Sequence, residues 1–125
     1  MQKFLIVDDS KAIRFLLRRF LEDLGHSVVG EAVDGKEALK RYKELKPDVI
    51  TLDLVMPGLS GIEVLKTIRS DAPEMKVFVV TSAASLSNMM STQELGAHYF
   101  LVKPFRREDV EKAIYAIGAG STKAA

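Results

Sequence analysis

The chain has 125 residues, 47% of them hydrophobic and 28% charged, with a formal net charge of +1 at pH 7. That length suits one domain able to bury a core without a staple, and the near-neutral balance gives no bulk electrostatic argument for nucleic-acid binding. The lack of cysteine excludes disulfides, thiolate metal sites and cysteine nucleophiles and fits a cytoplasmic protein, while no apolar run reaches the ~20 residues of a membrane span and no signal-peptide pattern precedes the first apolar run.

The elements alternate. Phe4-Leu5-Ile6-Val7 is a continuous apolar run that stops at Asp8 and Asp9, as suits a strand buried on both faces. A first helix follows, with Leu17, Phe20, Leu21 and Leu24 at helical spacing and Gly25 as a stop. Val28-Val29 is a weaker second strand ending near Val33-Asp34-Gly35, and Ala38, Leu39, Tyr42 and Leu45 mark a second helix closed by Pro47. Val49-Ile50-Thr51-Leu52 ends at Asp53, and a third helix carries Ile62, Leu65 and Ile68. Val77-Phe78-Val79-Val80 ends at Thr81. The fourth helix, near Ser87 to Leu95, is the poorest, because its Ser, Asn and Thr side chains compete for backbone hydrogen bonds. Tyr99-Phe100-Leu101-Val102 ends at Lys103, and Val110, Ala113, Ile114 and Ile117 mark the fifth helix. Five strand–helix units predict an α/β fold, a doubly wound parallel sheet with right-handed crossovers. A single domain over 1–120 and a frayed tail over 121–125 are expected.

Open parallel sheets bind ligands beyond the carboxyl ends of their strands. Four strands end there in polar residues: Asp8 and Asp9, Asp53, Thr81, and Lys103. The second strand supplies nothing obvious. Carboxylates at one rim repel, by about 4 kcal/mol for two charges ~4 Å apart at an effective dielectric of about 20. Lys103 offers one offsetting charge, and a hard divalent cation offers two. Oxygen donors without sulfur or imidazole select Mg²⁺. Mg²⁺ favours phosphate oxygens, and a carboxylate can attack phosphorus to give an acyl phosphate. An Asp at a strand end is also an ordinary turn or helix-cap residue. The joint placement at four strand ends is what argues against that blander reading.

The motifs Leu5-Ile6-Val7-Asp8-Asp9-Ser10, Asp53-Leu54-Val55-Met56-Pro57-Gly58 with Gly61, Thr81 after its apolar run, Gly96-Ala97 and Lys103-Pro104-Phe105 come in an ordered set spanning nearly the whole chain. In these the chain resembles the receiver domain of bacterial response regulators, in particular the stand-alone chemotaxis type. The resemblance implies a flavodoxin-like sheet of order 2-1-3-4-5 with five helices, and a two-component phosphorelay role rather than a turnover enzyme. It implies phosphorylation at Asp53, Mg²⁺ on Asp9, Asp53 and the backbone carbonyl of Val55, with Asp8 acting through a metal-bound water. Lys103 would pair with the phosphoryl group, the Thr81 hydroxyl would turn toward it, and Phe100 would be the switch aromatic. A cis Lys103-Pro104 bond is also implied.

The partners implied are a sensor histidine kinase or histidine phosphotransfer protein and a downstream protein target, with no direct nucleic acid and no membrane. The regulator would be a monomer that could dimerise when phosphorylated, signalling through its fourth helix, fifth strand and fifth helix. Ile13, Phe15 and Pro104 are the candidates for partner docking. Arg14, Arg18 and Arg19 read as a solvated face, and His26 and His98 as structural or exposed. Ser82 follows Thr81, and either hydroxyl could reach phosphate, although spacing from Asp53 and Lys103 favours Thr81. Phe100 carries no hydroxyl, and neither Val55 nor Ala83 can orient an attacking water, so slow autodephosphorylation is expected. Two other readings stand beside this one: a receiver from a longer regulator with a DNA-binding or enzymatic output domain, and a Mg²⁺-dependent phosphohydrolase using Asp53 as nucleophile.

Overall fold

Five apolar runs pair edge to edge into one parallel sheet in the computed structural model, which describes residues 1–118. The strands are β1 (Lys3–Val7), β2 (Ser27–Ala32), β3 (Val49–Leu52), β4 (Lys76–Thr81) and β5 (Tyr99–Val102). The helices α1 (Lys11–Asp23), α2 (Gly35–Leu45), α3 (Gly61–Asp71), α4 (Leu86–Glu94) and α5 (Arg107–Ala116) alternate with them. The strand order is β2-β1-β3-β4-β5, as the resemblance implies. Residues 121–125, where a frayed tail is expected, lie outside the described residues.

Two cores fill the two faces. Phe4, Ile6, Phe78, Val80 and Leu101 of the sheet pack with Leu17 and Leu21 of α1 and Val110, Ala113 and Ile114 of α5. On the other face Leu5, Val7, Ile50, Leu52 and Val77 meet Ala38 and Tyr42 of α2 and Val64, Leu65 and Ile68 of α3. Alternate residues of each strand serve opposite faces. The central strands are therefore almost wholly apolar between their ends, with Thr51 of β3 the exception, which is why their runs stand out in the sequence. The edge strand β2 is longer than its Val28-Val29 signal, because Gly30 and Glu31 continue it, and its pairing with β1 shifts register between Phe4 and Leu5.

Side-chain caps fix the helix starts. The Ser10, Asp34, Ser60 and Ser85 side chains accept from the backbone N–H three residues on, each satisfying a donor that the first turn leaves free. Both histidines serve the structure: Nδ1 of His26 accepts from the Gln2 amide at 3.0 Å and Nδ1 of His98 from the Val77 amide at 3.3 Å.

The helix α4 is built differently from its neighbours. Its buried residue is Thr92, whose hydroxyl donates back to the Asn88 carbonyl at 2.8 Å, while Leu86, Met89 and Met90 are exposed. Arg69 of α3 holds its far end, donating from Nε to the Leu95 carbonyl at 2.9 Å and from Nη2 to the Gly96 carbonyl at 3.0 Å. The same guanidinium also reaches the Ala72 and Pro73 carbonyls through Nη1.

One buried polar atom in the sheet pairs with nothing. Thr51 lies in the middle of β3, and its hydroxyl is buried without a hydrogen-bond partner. Desolvating a hydroxyl without compensation costs about 1–3 kcal/mol by mutational measures. The isosteric Thr51→Val variant is expected to be more stable by about 1 kcal/mol. Urea denaturation checks this: the midpoint should rise with the slope unchanged.

Candidate functional site

The rim at the carboxyl ends of the strands is assembled by backbone hydrogen bonds that continue the sheet one residue further. The Asp8 amide donates to Ala32, the Asp53 amide to Val7 and the Lys103 amide to Thr81, each at 3.0 Å. These bonds carry the pairing of β1 with β2, β3 with β1 and β5 with β4 into the loops. Asp8, Asp9 and Asp53 are thereby brought together, and each offers a carboxylate oxygen within 4.8 Å of the others. Asp8 and Asp53 are buried, and Asp9 is exposed.

Lys103 reaches across the end of β4 into this cluster. Its Nζ lies 2.7 Å from Asp8 Oδ2 and 3.1 Å from Asp53 Oδ2, with its side chain 16% exposed. The bond to Asp53 is an aligned hydrogen bond. The contact to Asp8 is the shorter of the two, and the two carboxylates share one ammonium. The other Asp8 oxygen, Oδ1, accepts from the Ser10 amide at 2.9 Å.

Burial raises the Asp8 pKa above the usual carboxylate value, and Lys103 and the Ser10 amide only partly oppose it. Burial alone would lower the Lys103 pKa. The adjacent Asp8 and Asp53 carboxylates reverse this and hold the ammonium above its ordinary value. One ammonium thus faces three carboxylates. An all-oxygen cluster of three carboxylates with net negative charge suits a small hard cation, and the donor set fits Mg²⁺.

The backbone under Asp53 is closely packed. A Cβ at Gly61 would lie 2.2 Å from the Asp53 carbonyl oxygen, so only glycine lets the first turn of α3 approach there. The Val55 amide turns back to Asp53 Oδ1 at 3.2 Å. The Val55 side chain points outward, 60% exposed.

The remaining candidates are more dispersed. Thr81 ends β4 fully buried, and its hydroxyl oxygen accepts from the Ala83 amide at 3.1 Å; Ser82 next to it is exposed. Phe100 is half-buried on β5, beside a groove of about 260 Å³ shared with Met89, Thr92 and Gln93 of α4. The Lys103-Pro104 bond is cis, and Pro104 is exposed. Phe15 is 65% exposed on α1, and Ile13 is half-buried.

One expectation needs correction. Arg14 and Arg18 are not a solvated face. They converge on Glu31 with Nε–Oε distances of 2.8 and 2.9 Å, and Arg14 also donates to the Asp8 carbonyl. Their partner Glu31 belongs to β2, which supplies no carboxylate to the acidic cluster itself. Basic residues on a helix ordinarily face water, so the arginines alone carried no signal. A charged residue on an otherwise apolar strand was the available one.

A doubly wound parallel sheet carries this acidic, lysine-bearing rim, and comparison with known proteins places the chain more closely. A model of the response regulator receiver domain matches residues 4–115, and the chain belongs to that family. It is 37% identical over 113 residues to the chemotaxis protein CheY of Thermotoga maritima, covering 90% of this chain and 94% of that protein. It is also 39% identical over 108 residues to the response regulator MprA of Mycolicibacterium vanbaalenii, where the match covers 86% of this chain but 46% of MprA. Among solved structures it resembles the CheX–CheY–BeF3–Mg²⁺ complex from Borrelia burgdorferi, with a TM-score of 0.90 and 29% identity over 93% of this chain and 88% of that one. The chain is therefore a CheY-like receiver domain of a two-component response regulator, a signalling protein. No helix among the described residues is long and apolar enough to cross a membrane.

Lys103 offsets the repulsion between Asp8 and Asp53. Lys103→Met is expected to cost about 3 kcal/mol at neutral pH, because two buried carboxylates would lose their cation. The Asp8 pKa would rise further, so its protonation would relieve the repulsion and the loss would shrink as the pH falls. Urea midpoints of wild type and variant between neutral and acid pH check both the size and the trend.

Proposed function

We propose that the chain accepts a phosphoryl group on Asp53 from the phosphohistidine of a sensor kinase or histidine phosphotransfer protein. The observation that carries this is the cluster of Asp8, Asp9 and Asp53 with Lys103 bridging two of the three. An Asp53 carboxylate oxygen attacks phosphorus, the P–N bond breaks, and its electron pair remains on the imidazole nitrogen of the donor. Asp8, Asp9, Asp53 and the Val55 carbonyl would hold Mg²⁺, which supplies neutralisation of phosphoryl oxygens when bound. The relative solved with BeF3 and Mg²⁺ supports this reading.

Lys103 is positioned to exchange part of its contact with Asp53 for a phosphoryl oxygen. An aspartyl phosphate adds about −1.5 to −2 charge. Thr81 would turn its hydroxyl from the Ala83 amide to donate to it, and Phe100 would rotate into the space vacated. The α4-β5-α5 face would then change shape for a downstream protein, as a shift between existing states. Ile13, Phe15 and Pro104 would take part in docking the phosphoryl donor.

A stand-alone regulator of chemotaxis type, acting in the cytoplasm, is the reading we favour, supported by the 37% identity to the Thermotoga maritima chemotaxis protein. The partial coverage of MprA supports a second reading, a receiver within a longer regulator.

Incubation with acetyl phosphate and Mg²⁺ should add one phosphoryl group to the wild type and none to Asp53→Asn, read by intact mass. A folded wild type that gains no adduct would overturn the proposal. The acyl phosphate should decay slowly, because Val55 and Ala83 cannot orient water. Val55→Asn supplies a side chain that can, so its adduct should disappear faster in a time course by the same measurement.

A further inference from the structure

We propose that Arg14 is a positioning residue for the Mg²⁺ site, holding the Asp8–Asp9 peptide plane in the orientation that aims the Asp9 carboxylate at the metal. This rests on the reading of the acidic cluster given above. Arg14 Nη1 donates to the Asp8 carbonyl at 2.7 Å, while its Nε donates to Glu31 Oε1 at 2.8 Å. Its side chain is 12% exposed, unusually low for an arginine on a surface helix.

Each part of this contact has a geometric reason. Glu31 lies on β2 opposite Ile6 of β1, so it belongs to the sheet and not to a loop. Its second oxygen accepts from Arg18 Nε at 2.9 Å, which leaves the carboxylate held on both sides. Burial alone would raise the Glu31 pKa, but the two guanidinium groups hold it below its ordinary value. The Arg14 fork is thus anchored at one prong to the sheet and at the other to the β1–α1 loop.

The held carbonyl matters because a peptide is planar. Fixing the Asp8 C=O fixes the Asp9 N–H and Cα in the same plane. Asp8 needs little further help. Its amide is bonded to Ala32, its Oδ1 to the Ser10 amide, and its Oδ2 lies against Lys103. Asp9 is the exposed member of the cluster, so control of its direction comes through its backbone. Groups of this kind, which orient a metal ligand without touching the metal, typically change affinity by ~10–100-fold.

Arg18 separates positioning from mere cross-linking, because it pairs with the same Glu31 but its contacts are with Glu31 and Glu22 rather than the loop. Mg²⁺ binding by calorimetry should be compared in unphosphorylated wild type, Arg14→Lys, Arg18→Gln and Asp9→Asn. Arg14→Lys keeps the charge but loses the two-pronged fork, so a change in affinity cannot be assigned to charge. Its dissociation constant should rise by ~10-fold, while that of Arg18→Gln stays close to wild type. In the metal-free protein, hydrogen exchange at the Ser10 amide should accelerate in Arg14→Lys and not in Arg18→Gln. Equal Mg²⁺ affinity in wild type and Arg14→Lys, or an equal loss in Arg18→Gln, would overturn the positioning role and leave the phosphoryl-acceptor reading intact. A wild type that binds no Mg²⁺, or binds it as well as Asp9→Asn, would overturn both.

Discussion

The Lys103 ammonium stands between carboxylates that come from β1 and β3, although it follows β5. That contact exists only if β1, β3, β4 and β5 lie in parallel register and end at the same height. Two buried carboxylates facing one another without a cation would oppose folding. A small misalignment would weaken the offset at once, since the Coulomb energy rises as charges leave water. The geometry of the rim is therefore a sensitive consequence of the whole sheet, and the apolar packing on both faces is what holds that register.

The rim divides into a buried side and an exposed side. Asp8, Asp53, Lys103 and Thr81 are largely enclosed, and their environment comes from the protein. Asp9, Val55, Ser82 and Pro104 face outward. Such an arrangement suits chemistry in which the acceptor is prepared by the fold and the donor arrives on another molecule. It also explains how a site with a closely packed floor, where Gly61 abuts the Asp53 carbonyl, remains open to a partner.

Much of this was legible in the sequence for a physical reason. A strand buried on both faces reads as a largely apolar run, and the polar residues at its carboxyl end mark the rim. Asp8, Asp9, Asp53, Thr81 and Lys103 all occupy such places. Strand β2 is an edge strand with Gly30 and Glu31 inside it, so its signal was short. The role of the arginines depends on Glu31, 17 residues from Arg14. No local pattern joins a helix residue to a strand residue at that distance until the topology puts α1 over β2. The weakness of the fourth helix is written in its Ser and Asn content, yet its anchor, Arg69, lies on a different helix. The two-sided order β2-β1-β3-β4-β5 came from family resemblance and not from periodicity, which carries no information about which strands are neighbours.

The Arg69 contacts give α4 a mechanical character. Its C-terminal end is tied to the end of α3 through the Leu95 and Gly96 carbonyls. The start of α4 is bonded instead to its own approach, by the Ser85 cap and by Asn88 Nδ2 to the Ala83 carbonyl. A rod held by a neighbouring helix at one end, and at the other only by the loop that leads into it, pivots about the first, so displacement grows toward the loop side. In α4 that end carries Leu86, 72% exposed, and it adjoins the loop leaving Thr81. A tilt too small to disturb the clamped turn would sweep the Leu86 side chain through the largest arc on the helix.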